Sequence, residues 1–367
     1  MQHVNWSIVS GKVPSPVMKN VPKIVDVTIS IASYNTRELL RACLDSLLAV
    51  RDEVSMQIVV ADNASHDGTV EMLQNEYSND VLLVETGGNL GYGRANNLAF
   101  EKSKGRYFIA LNSDTTMPRG TLKTLVSFMD AQPNVGAAGA QLLNTDGSDQ
   151  ISWGNDTTWR GLLEEQFGVL KLRQKLRTSS TRSEENHGEI DNATRGEIPE
   201  YAPCEVELRE AKPRENAPRE VEQICGAAQL VRREAWQQVG GYDAKYFMYH
   251  EDVDLNVRIR KAGWKIYFVP SAKVFHHLGA SSERSWQSRA RMVSALNKSR
   301  YYAFSQHEGK FRGEVLKAVF VGGALLRLLY WTLRVLVRPN SLHRERVKLF
   351  REVLRQTARA DRLDPRK

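Results

Sequence analysis

The chain has 367 residues, of which 41% are hydrophobic and 26% charged, so its composition is that of an ordinary globular protein. This composition excludes a chain that is disordered throughout, a collagen-like chain and a small disulfide-stapled scaffold. The three cysteines, Cys43, Cys204 and Cys225, have no metal-ligand spacing and cannot all pair with one another, which is typical of a reduced compartment. The first twenty residues lack the charged head and apolar core of a secretory signal, so we expect a cytoplasmic protein.

The net charge of +8 is unevenly distributed along the chain. Residues 281–367 carry 20 basic and 7 acidic side chains, so this region is strongly basic and the rest of the chain is mildly acidic. A basic region of this kind is typical of proteins that bind nucleic acid or an anionic membrane surface. The acidic body and the lack of a recognised nucleic-acid-binding motif favour the membrane.

Strand and helix patterns alternate over the first 130 residues. Apolar, β-branched runs at 27–35, 57–65 and 81–86 predict strands, and apolar residues at helical spacing follow each of them. RYFIALNSD, residues 106–114, predicts a fourth strand, and the helical run TLKTLVSFMD follows it. This alternation predicts a parallel sheet with helices on both faces, which binds ligands at the carboxyl ends of its strands.

Changes in composition divide the rest of the chain. Residues 183–222 contain 12 acidic and 5 basic side chains and four prolines, with almost no apolar periodicity, which predicts a mobile polar insertion. Strand and helix patterns resume at ICGAAQLVRREAW and continue through KIYFVPSAKVF. We therefore expect an N-terminal extension at 1–23, one catalytic α/β domain at 24–281 that contains the insertion, and a helical, basic C-terminal region at 282–367.

The most apolar part of the C-terminal region is residues 315–337. Lys317, Arg327 and Arg334 lie inside this window or at its edge, which disfavours a helix that spans a bilayer. Basic residues mixed with Leu, Trp and Tyr favour a helix that lies in the membrane interface. The alternative is a packed C-terminal helix of a soluble protein.

Polar residues and glycines follow several predicted strands. Asp62 opens the run DNASHDGT, which offers hydrogen-bonding groups for a nucleotide base and also suits a turn and a helix cap. GGNLGYGRANN, residues 87–97, offers backbone amides and Arg94 for a phosphate, but lacks the spacing of the dinucleotide fingerprint and of a phosphate-binding loop. Loop flexibility alone also accounts for glycines of this kind.

Carboxylates and histidines occur at three further ends of predicted elements. NSD, residues 112–114, follows a buried strand, and a divalent cation that bridges two phosphates prefers such oxygen ligands. HEDVDL, residues 250–255, places three carboxylates at the start of a helix, more than capping requires, which indicates a general base. His276 and His277 follow the last strand, where a histidine can ligate a cation, contact phosphate or have a structural role alone.

Taken in order, these segments resemble glycosyltransferase family 2, the inverting transferases of GT-A fold, and within it the rhamnosyltransferase-like branch. The resemblance runs from residue 27 to 281 apart from the insertion, through SYN, DNAS, GGNLGYGRANN, NSD, CGAAQLVRREAW, HEDVDL and HHLGASS. It implies an α/β fold with a mixed, mainly parallel sheet flanked by helices, followed here by a C-terminal helical extension. It also implies transfer of a sugar, rhamnose from dTDP-rhamnose as the first choice, to a hydroxyl of a glycan or lipid-linked acceptor in cell-surface polysaccharide synthesis.

The resemblance implies a role for each of these positions. Asp252 corresponds to the catalytic base, with Glu251 beside it in the same catalytic pair. Asp114 and His276 correspond to ligands of a divalent cation, Mg²⁺ or Mn²⁺, and His277 competes with His276 for that role. The nucleotide-sugar pocket is implied to contain Asn35, Asp62, Asn63, Gly91, Arg94, Asn97, Asn112 and Ser113.

The metal motif departs from the family pattern at its first position, where Asn112 replaces an acidic residue, which implies weaker metal binding. Two alternatives stay open: a UDP-sugar-dependent transferase of the same fold, and a non-catalytic protein that keeps the fold as a binding or scaffold subunit. The retained acidic and histidine positions favour an enzyme. Its expected partners are a nucleotide-sugar donor, a glycan or polyprenyl-linked saccharide acceptor, and the cytoplasmic face of the plasma membrane, contacted through residues 315–367.

Overall fold

The computed structural model describes residues 24–156, 158–167, 217–277 and 285–359. The predicted N-terminal extension at 1–23 lies outside the described residues, as does most of the predicted insertion at 183–222. The last residues of that insertion are described. Arg219 and Glu220 pair with the final strand of the sheet, and the guanidinium of Arg219 lies over the ring of Trp153, 4.2 Å from its centroid.

The first part of the chain alternates strands and helices, as its periodicity predicts. Its elements are β1 (Val25–Ser33), α1 (Arg37–Leu48), β2 (Met56–Asp62), α2 (Thr69–Glu76), β3 (Val81–Glu85), α3 (Tyr92–Glu101), β4 (Gly105–Asn112), β5 (Thr115–Thr116), α4 (Thr121–Ala131), β6 (Val135–Leu143), β7 (Trp153–Gly154) and α5 (Trp159–Phe167). The β-branched and aromatic runs form the strands because such side chains pack well on a pleated surface.

The second part of the chain completes the sheet and then becomes helical. Its elements are β8 (Arg219–Glu220), β9 (Gln223–Ile224), β10 (Ala228–Arg232), α6 (Arg233–Val239), α7 (Glu251–Lys261), β11 (Lys265–His276), α8 (Trp286–His307), α9 (Lys310–Val337) and α10 (Ser341–Ala358). Helix α7 begins at the three carboxylates of the HEDVDL motif, as predicted.

One nine-stranded sheet forms the centre of the molecule, in the order β3-β2-β1-β4-β10-β6-β11-β5 with β8 beside β11. Strands β1 to β4 pair in parallel, and so do β6 and β11. Strand β10 runs antiparallel between β4 and β6 because it starts at the carboxyl end of β4, where Ala228 pairs with Leu111. The predicted class, a mixed and mainly parallel sheet flanked by helices with a C-terminal helical extension, is confirmed.

Apolar side chains cover both faces of this sheet. Along β4, Tyr107, Ile109 and Leu111 belong to the cluster on one face, whereas Phe108 and Ala110 belong to the cluster on the other. This alternation follows from the two-residue period of a strand, and burial on both faces explains why the strand sequences are almost continuously apolar. The carboxyl ends of β1, β2 and β4 are left as a polar edge.

The last three helices pack on one another and on the sheet domain. Buried residues from all three helices form one apolar cluster: Ala290, Val293, Ala324, Leu349 and Val353. Helix α9 also packs on α5 through Leu316 and Phe320. Among the described residues α9 is the one helix long and apolar enough to cross a membrane by length and composition, with a mean hydropathy of 1.5 over its best window.

Candidate active site

The loop after β2 contains a buried carboxylate with one unused oxygen. Asp62 is 1% exposed, and its Oδ2 accepts a hydrogen bond from the Ser65 amide at 2.9 Å. Its Oδ1 has no hydrogen-bond partner among the described residues. Because an unpaired buried acceptor costs free energy, this oxygen indicates a place where a ligand donates a hydrogen bond.

Asn35 connects the loop after β1 to this loop after β2. Its side-chain Oδ1 accepts a hydrogen bond from the backbone amide of His66 at 2.7 Å, and its backbone amide donates to Ser65 Oγ at 3.0 Å. Asn35 and Ala64 both have left-handed backbone conformations, with φ of 52° and 62°. Strained backbone of this kind clusters at functional sites, where the surrounding contacts hold it in place.

The glycine-rich turn before α3 contacts the segment that precedes α7. Gly91 has φ of 82°, and a Cβ atom there would overlap the carbonyl oxygen of Phe247, so this position requires glycine. The next amide, of Tyr92, donates to that same carbonyl at 3.0 Å. Asn63 supports the turn, since its Oδ1 accepts from the Leu90 amide at 3.3 Å and its Nδ2 donates to the Gly91 carbonyl at 3.4 Å.

Arg94 and Asn97 contact protein backbone. Arg94 Nε donates to the carbonyl of Ala244 at 2.7 Å. Asn97 exchanges two hydrogen bonds with the backbone of Tyr242, at 2.8 and 3.0 Å. Both side chains therefore join α3 to the loop before α7, and their predicted role in the nucleotide pocket stays a prediction.

The end of β4 and the end of β11 meet at Asp114 and His276. His276 Nε2 lies 3.4 Å from Asp114 Oδ1 and 3.2 Å from Asn112 Nδ2. On the other side of the ring, Nδ1 lies 3.0 Å from Gln150 Oε1. This contact orients the ring and leaves Nε2 facing the Asp114 carboxylate, as the second-shell partner of a metal-ligating histidine does.

The surroundings of His276 change its protonation. Burial lowers the pKa of its imidazole, but the hydrogen bond and the negative charge of Asp114 outweigh burial, so the pKa lies above its usual value. His277 turns away from this pair, and its Nε2 lies 3.0 Å from Thr116 Oγ1. Ser113 lies beside them, accepting from Thr36 Oγ1 at 3.1 Å. Within the described ranges no three His, Cys, Asp or Glu side chains come close enough to hold a metal ion by themselves.

The first turn of α7 carries the carboxyl pair Glu251, which is buried, and Asp252, which is half-buried. Asp252 accepts from the Gly226 amide at 2.8 Å through Oδ2 and from the Val253 amide at 2.8 Å through Oδ1. A Cβ atom at Gly226 would lie 2.8 Å from the Cβ of Asp252, so the close approach of this backbone requires glycine. Burial raises the pKa of Asp252, although these backbone amides favour its ionised form.

Glu251 differs from Asp252, because its Oε2 accepts no hydrogen bond from a backbone amide of the described residues. This oxygen is buried and has no hydrogen-bond partner among the residues that the structure describes. Burial, followed by the nearby charge of Asp252, raises the pKa of Glu251 to about 8. The proton of the pair therefore favours Glu251, because the two amide contacts favour negative charge on Asp252.

One short segment connects the carboxyl pair to the end of β4. Gly226 donates its amide to Asp252 and accepts from Tyr92 Oη at 3.0 Å. The next carbonyl, of Ala227, accepts from the Asn112 amide at 3.0 Å. Consecutive residues thus contact the helix that carries Asp252 and the strand that leads to Asp114, so one short segment links the predicted base to the predicted metal ligands.

Two residues of this site were missed by the sequence interpretation. Gln150 orients His276 from 126 residues away in the chain, and an isolated glutamine in a loop gives no sequence signal for such a role. Gly226 holds Asp252, and the only available signal was a glycine inside the CGAA run. The four non-glycine residues with positive φ in the described part of the chain all lie in loops of this site: Asn35, Ala64, Tyr249 and His250.

Comparison with known proteins identifies the family of this chain. Residues 28–192 match the family model described as glycosyl transferase family 2, and residues 208–279 match one described as N-terminal domain of galactosyltransferase. The N-acetylglucosaminyl-diphospho-decaprenol L-rhamnosyltransferase of Mycobacterium tuberculosis is 32% identical over 80% of this chain and 88% of that protein. Rhamnosyltransferase WbbL of Escherichia coli is 25% identical over 76% of this chain and 92% of that protein.

The matches among solved structures are more distant. A mannosyltransferase from Pyrobaculum calidifontis, in complex with GDP-Man and Mn²⁺, is 16% identical with a TM-score of 0.47, over 95% of this chain and 90% of that one. GalNAc-T7 with UDP, GalNAc and Mn²⁺ is 16% identical with a TM-score of 0.48, over 78% of this chain and 51% of that one. On the sequence matches, the chain belongs to glycosyltransferase family 2, the nucleotide-sugar glycosyltransferases, within its rhamnosyltransferase-like branch.

Proposed function

We propose that this glycosyltransferase moves rhamnose from dTDP-rhamnose, with inversion, to a hydroxyl of a polyprenyl-diphosphate-linked saccharide in cell-surface polysaccharide synthesis. The observation that carries the proposal is the link between Asp252 on α7 and the Asp114–His276 pair, made through residues 226–227. The mycobacterial relative is named for rhamnosyl transfer to N-acetylglucosaminyl-diphospho-decaprenol, which supports this donor and acceptor.

The donor nucleotide is expected to lie against the loops that follow β1 and β2. The unused Oδ1 of Asp62 accepts the ring N–H that thymine and uracil both carry. Asn35 and Asn63 hold the two loops around it. A dTDP-sugar and a UDP-sugar satisfy this oxygen equally, so a UDP-sugar donor is the alternative within the same function.

The residues at the end of β4 suit a divalent cation. A carboxylate and an imidazole nitrogen face each other at 3.4 Å, and Gln150 orients the imidazole. Two protein ligands are enough for Mg²⁺ or Mn²⁺ in a site where substrate phosphates and water complete the coordination. Asp114 and His276 would hold the ion, and the ion would neutralise the charge that develops on the departing nucleoside diphosphate.

Asp252 then removes the proton from the acceptor hydroxyl. The Gly226 and Val253 amides favour the ionised form of its carboxylate and fix its orientation. A carboxylate held in a buried site by two amides is preorganised for general-base work. Displacement at the anomeric carbon on the face opposite the leaving group inverts the configuration without a covalent enzyme intermediate.

A thermal-shift screen of nucleotide sugars tests the donor assignment, because a ligand that binds the native state raises the melting temperature. We expect dTDP-rhamnose with Mn²⁺ to raise the melting temperature of the full chain more than UDP-sugars do. The matched variants are Asp62→Asn, which changes the acceptor that meets the base, and Asp114→Ala, which removes a metal ligand.

The thermal shifts of the two variants distinguish the contact with the base from the contact with the cation. Asp62→Asn should remove the shift with or without cation, whereas Asp114→Ala should remove only the part that depends on Mn²⁺. A larger increase in melting temperature with a UDP-sugar would show that the donor is the UDP-sugar and not dTDP-rhamnose. A chain that no nucleotide sugar stabilises would support the alternative of another class, a binding or scaffold protein that keeps the fold.

The proposal places the enzyme at the cytoplasmic face of a membrane, in contact through α9 and α10. Exposed apolar residues recur along α9 at helical spacing, among them Leu329, Leu333 and Leu336, which are 58%, 52% and 75% exposed. The opposite face of α9 packs into the protein, so a helix lying in the interface fits better than one that spans the bilayer. Exposed basic residues follow at three- and four-residue spacing on α10: Arg344, Lys348, Arg351 and Arg355.

A further inference from the structure

Helix α8 contacts the helix that carries the proposed base. His307, the last residue of α8, places Nε2 at 2.7 Å from Asp254 Oδ1, and Asp254 lies two residues after Asp252 in the first turn of α7. Asp254 is 3% exposed, and its other oxygen accepts from Arg258 Nε at 2.7 Å. Both carboxylate oxygens are therefore engaged with protein, and Asp254 faces α8 instead of a substrate.

The partner of Asp254 extends this contact to a second helix. Arg258 donates from one terminal nitrogen to the carbonyls of Val239 and Gly241, both at 2.7 Å. These carbonyls lie at the end of α6 and in the turn after it. The unit formed by Asp254 and Arg258 thus fixes α7 relative to α6, and His307 fixes the same unit relative to α8.

The segment before α7 needs support of this kind. Tyr249 and His250 both have left-handed backbone conformations, with φ of 68° and 71°. Two successive non-glycine residues in this conformation cost free energy and persist only where neighbouring contacts hold them. Helix α8 supplies such contacts, since Ser299 Oγ donates to the Met248 carbonyl at 3.2 Å and Tyr302 Oη donates to Asp243 Oδ2 at 2.7 Å.

Among the residues that the structure describes, Asp252 accepts hydrogen bonds from backbone amides, those of Gly226 and of the next residue in its own helix. Its position therefore depends on where the first turn of α7 lies. We infer that His307 is a positioning residue for catalysis: through Asp254 it holds the start of α7 so that Asp252 meets the acceptor hydroxyl. This inference rests on the proposed role of Asp252 as the base, and it gives α8 a part in catalysis separate from membrane contact through α9 and α10.

Three variants of the full chain test the inference. His307→Ala removes the donor to Asp254, and His307→Gln keeps an N–H that can reach it. Tyr301→Phe is the matched control, because Tyr301 Oη donates to Glu314 Oε1 at 2.7 Å and so joins α8 to α9 rather than to α7. We measure kcat and donor KM for transfer from dTDP-rhamnose to a polyprenyl-diphospho-N-acetylglucosamine, together with melting temperature.

A small displacement of a catalytic group lowers kcat more than it lowers donor affinity. We expect His307→Ala to lower kcat about 10- to 100-fold and to change donor KM by less than about twofold. The assay temperature lies well below the melting temperature of the variant. His307→Gln should recover most of the loss, and Tyr301→Phe should keep wild-type kcat.

Three results would overturn the inference: wild-type kcat in His307→Ala, equal losses in His307→Ala and His307→Gln, or an equal loss in Tyr301→Phe. Asp252→Asn is measured in the same assay, and its inactivity shows that the assay reports catalysis by Asp252. Activity in Asp252→Asn would instead contradict the proposed function.

Discussion

Glu251 and Asp252 are adjacent, yet their surroundings favour different protonation states. Asp252 accepts two backbone hydrogen bonds, whereas Oε2 of Glu251 has no partner among the described residues. Burial raises the pKa of Glu251 to about 8, whereas the Gly226 and Val253 amides favour the ionised form of Asp252. The geometry thus explains how two neighbouring carboxyl groups leave one available for proton removal.

The raised pKa of Glu251 makes the stability of the protein depend on pH. Because the folded protein binds this proton more tightly than the unfolded chain, the stabilisation is complete below the ordinary pKa of 4.5 and is lost as pH rises toward about 8. Glu251→Gln imitates the protonated acid and removes this loss. Between pH 6 and 8 we expect the free energy of unfolding of this variant, relative to that of the wild type, to increase by up to about 1.4 kcal/mol per pH unit.

Chemical denaturation of both proteins at pH 6, 7 and 8 measures this difference. Taking the difference between the two proteins cancels titrations that both share, such as those of the histidines. Parallel dependence of the two free energies on pH would show that the pKa of Glu251 is not raised in the folded protein, which would contradict this prediction.

At the scale of elements, α9 has two unlike faces. Leu316, Phe320 and Ala324 are buried against neighbouring helices, whereas a stripe of leucines on the other face is exposed. Exposed apolar stripes of this length are rare on soluble monomers and mark surfaces that bind a partner or a membrane. The basic residues of α10 make an anionic bilayer the complementary surface.

Replacing two leucines of this stripe should weaken membrane binding of the full chain. Leu329→Gln with Leu333→Gln removes side chains that each contribute on the order of 1.5 kcal/mol or more when buried in an apolar phase. The matched control is Leu82→Gln, because Leu82 is 43% exposed but lies on the edge strand β3. Co-sedimentation with anionic liposomes at low and high salt measures the change.

We expect the double variant to lose about tenfold or more of its binding and the control to keep wild-type binding. High salt should weaken the liposome binding of all three proteins, because the basic residues of α10 attract the anionic surface through charge. Equal recovery of the double variant and the wild type with the liposomes would show that α9 does not enter the interface.

At the scale of the whole molecule, periodicity predicted the sheet and most of its helices because burial on both faces imposes a strong apolar pattern. The direction of β10 could not be read in this way, since it depends on where the chain returns to the sheet after β9. The polar strand ends gave the positions of Asp62 and Asp114, because carboxyl ends of parallel strands meet at one edge.

Long-range contacts explain what the sequence could not predict about the site. Gln150 reaches His276, and His307 reaches Asp254, through packing between elements far apart in the chain. Glu251 and Asp252 differ in their surroundings because only Asp252 accepts from the Gly226 amide, a contact that two adjacent acidic residues in a sequence do not reveal. The contacts of Arg94 with the Ala244 carbonyl likewise depend on the packing of the loop before α7.

The central claim, sugar transfer with Asp252 as the base, is tested most directly by comparing Asp252→Asn with the wild type. An amide cannot accept the acceptor proton, and it keeps the size of the side chain that packs on Gly226. The measurement is transfer of rhamnose from dTDP-rhamnose to a polyprenyl-diphospho-N-acetylglucosamine, with donor affinity measured in parallel. We predict a loss of about 10²- to 10⁴-fold in kcat with donor affinity unchanged. More than a third of wild-type turnover in this variant would contradict the account.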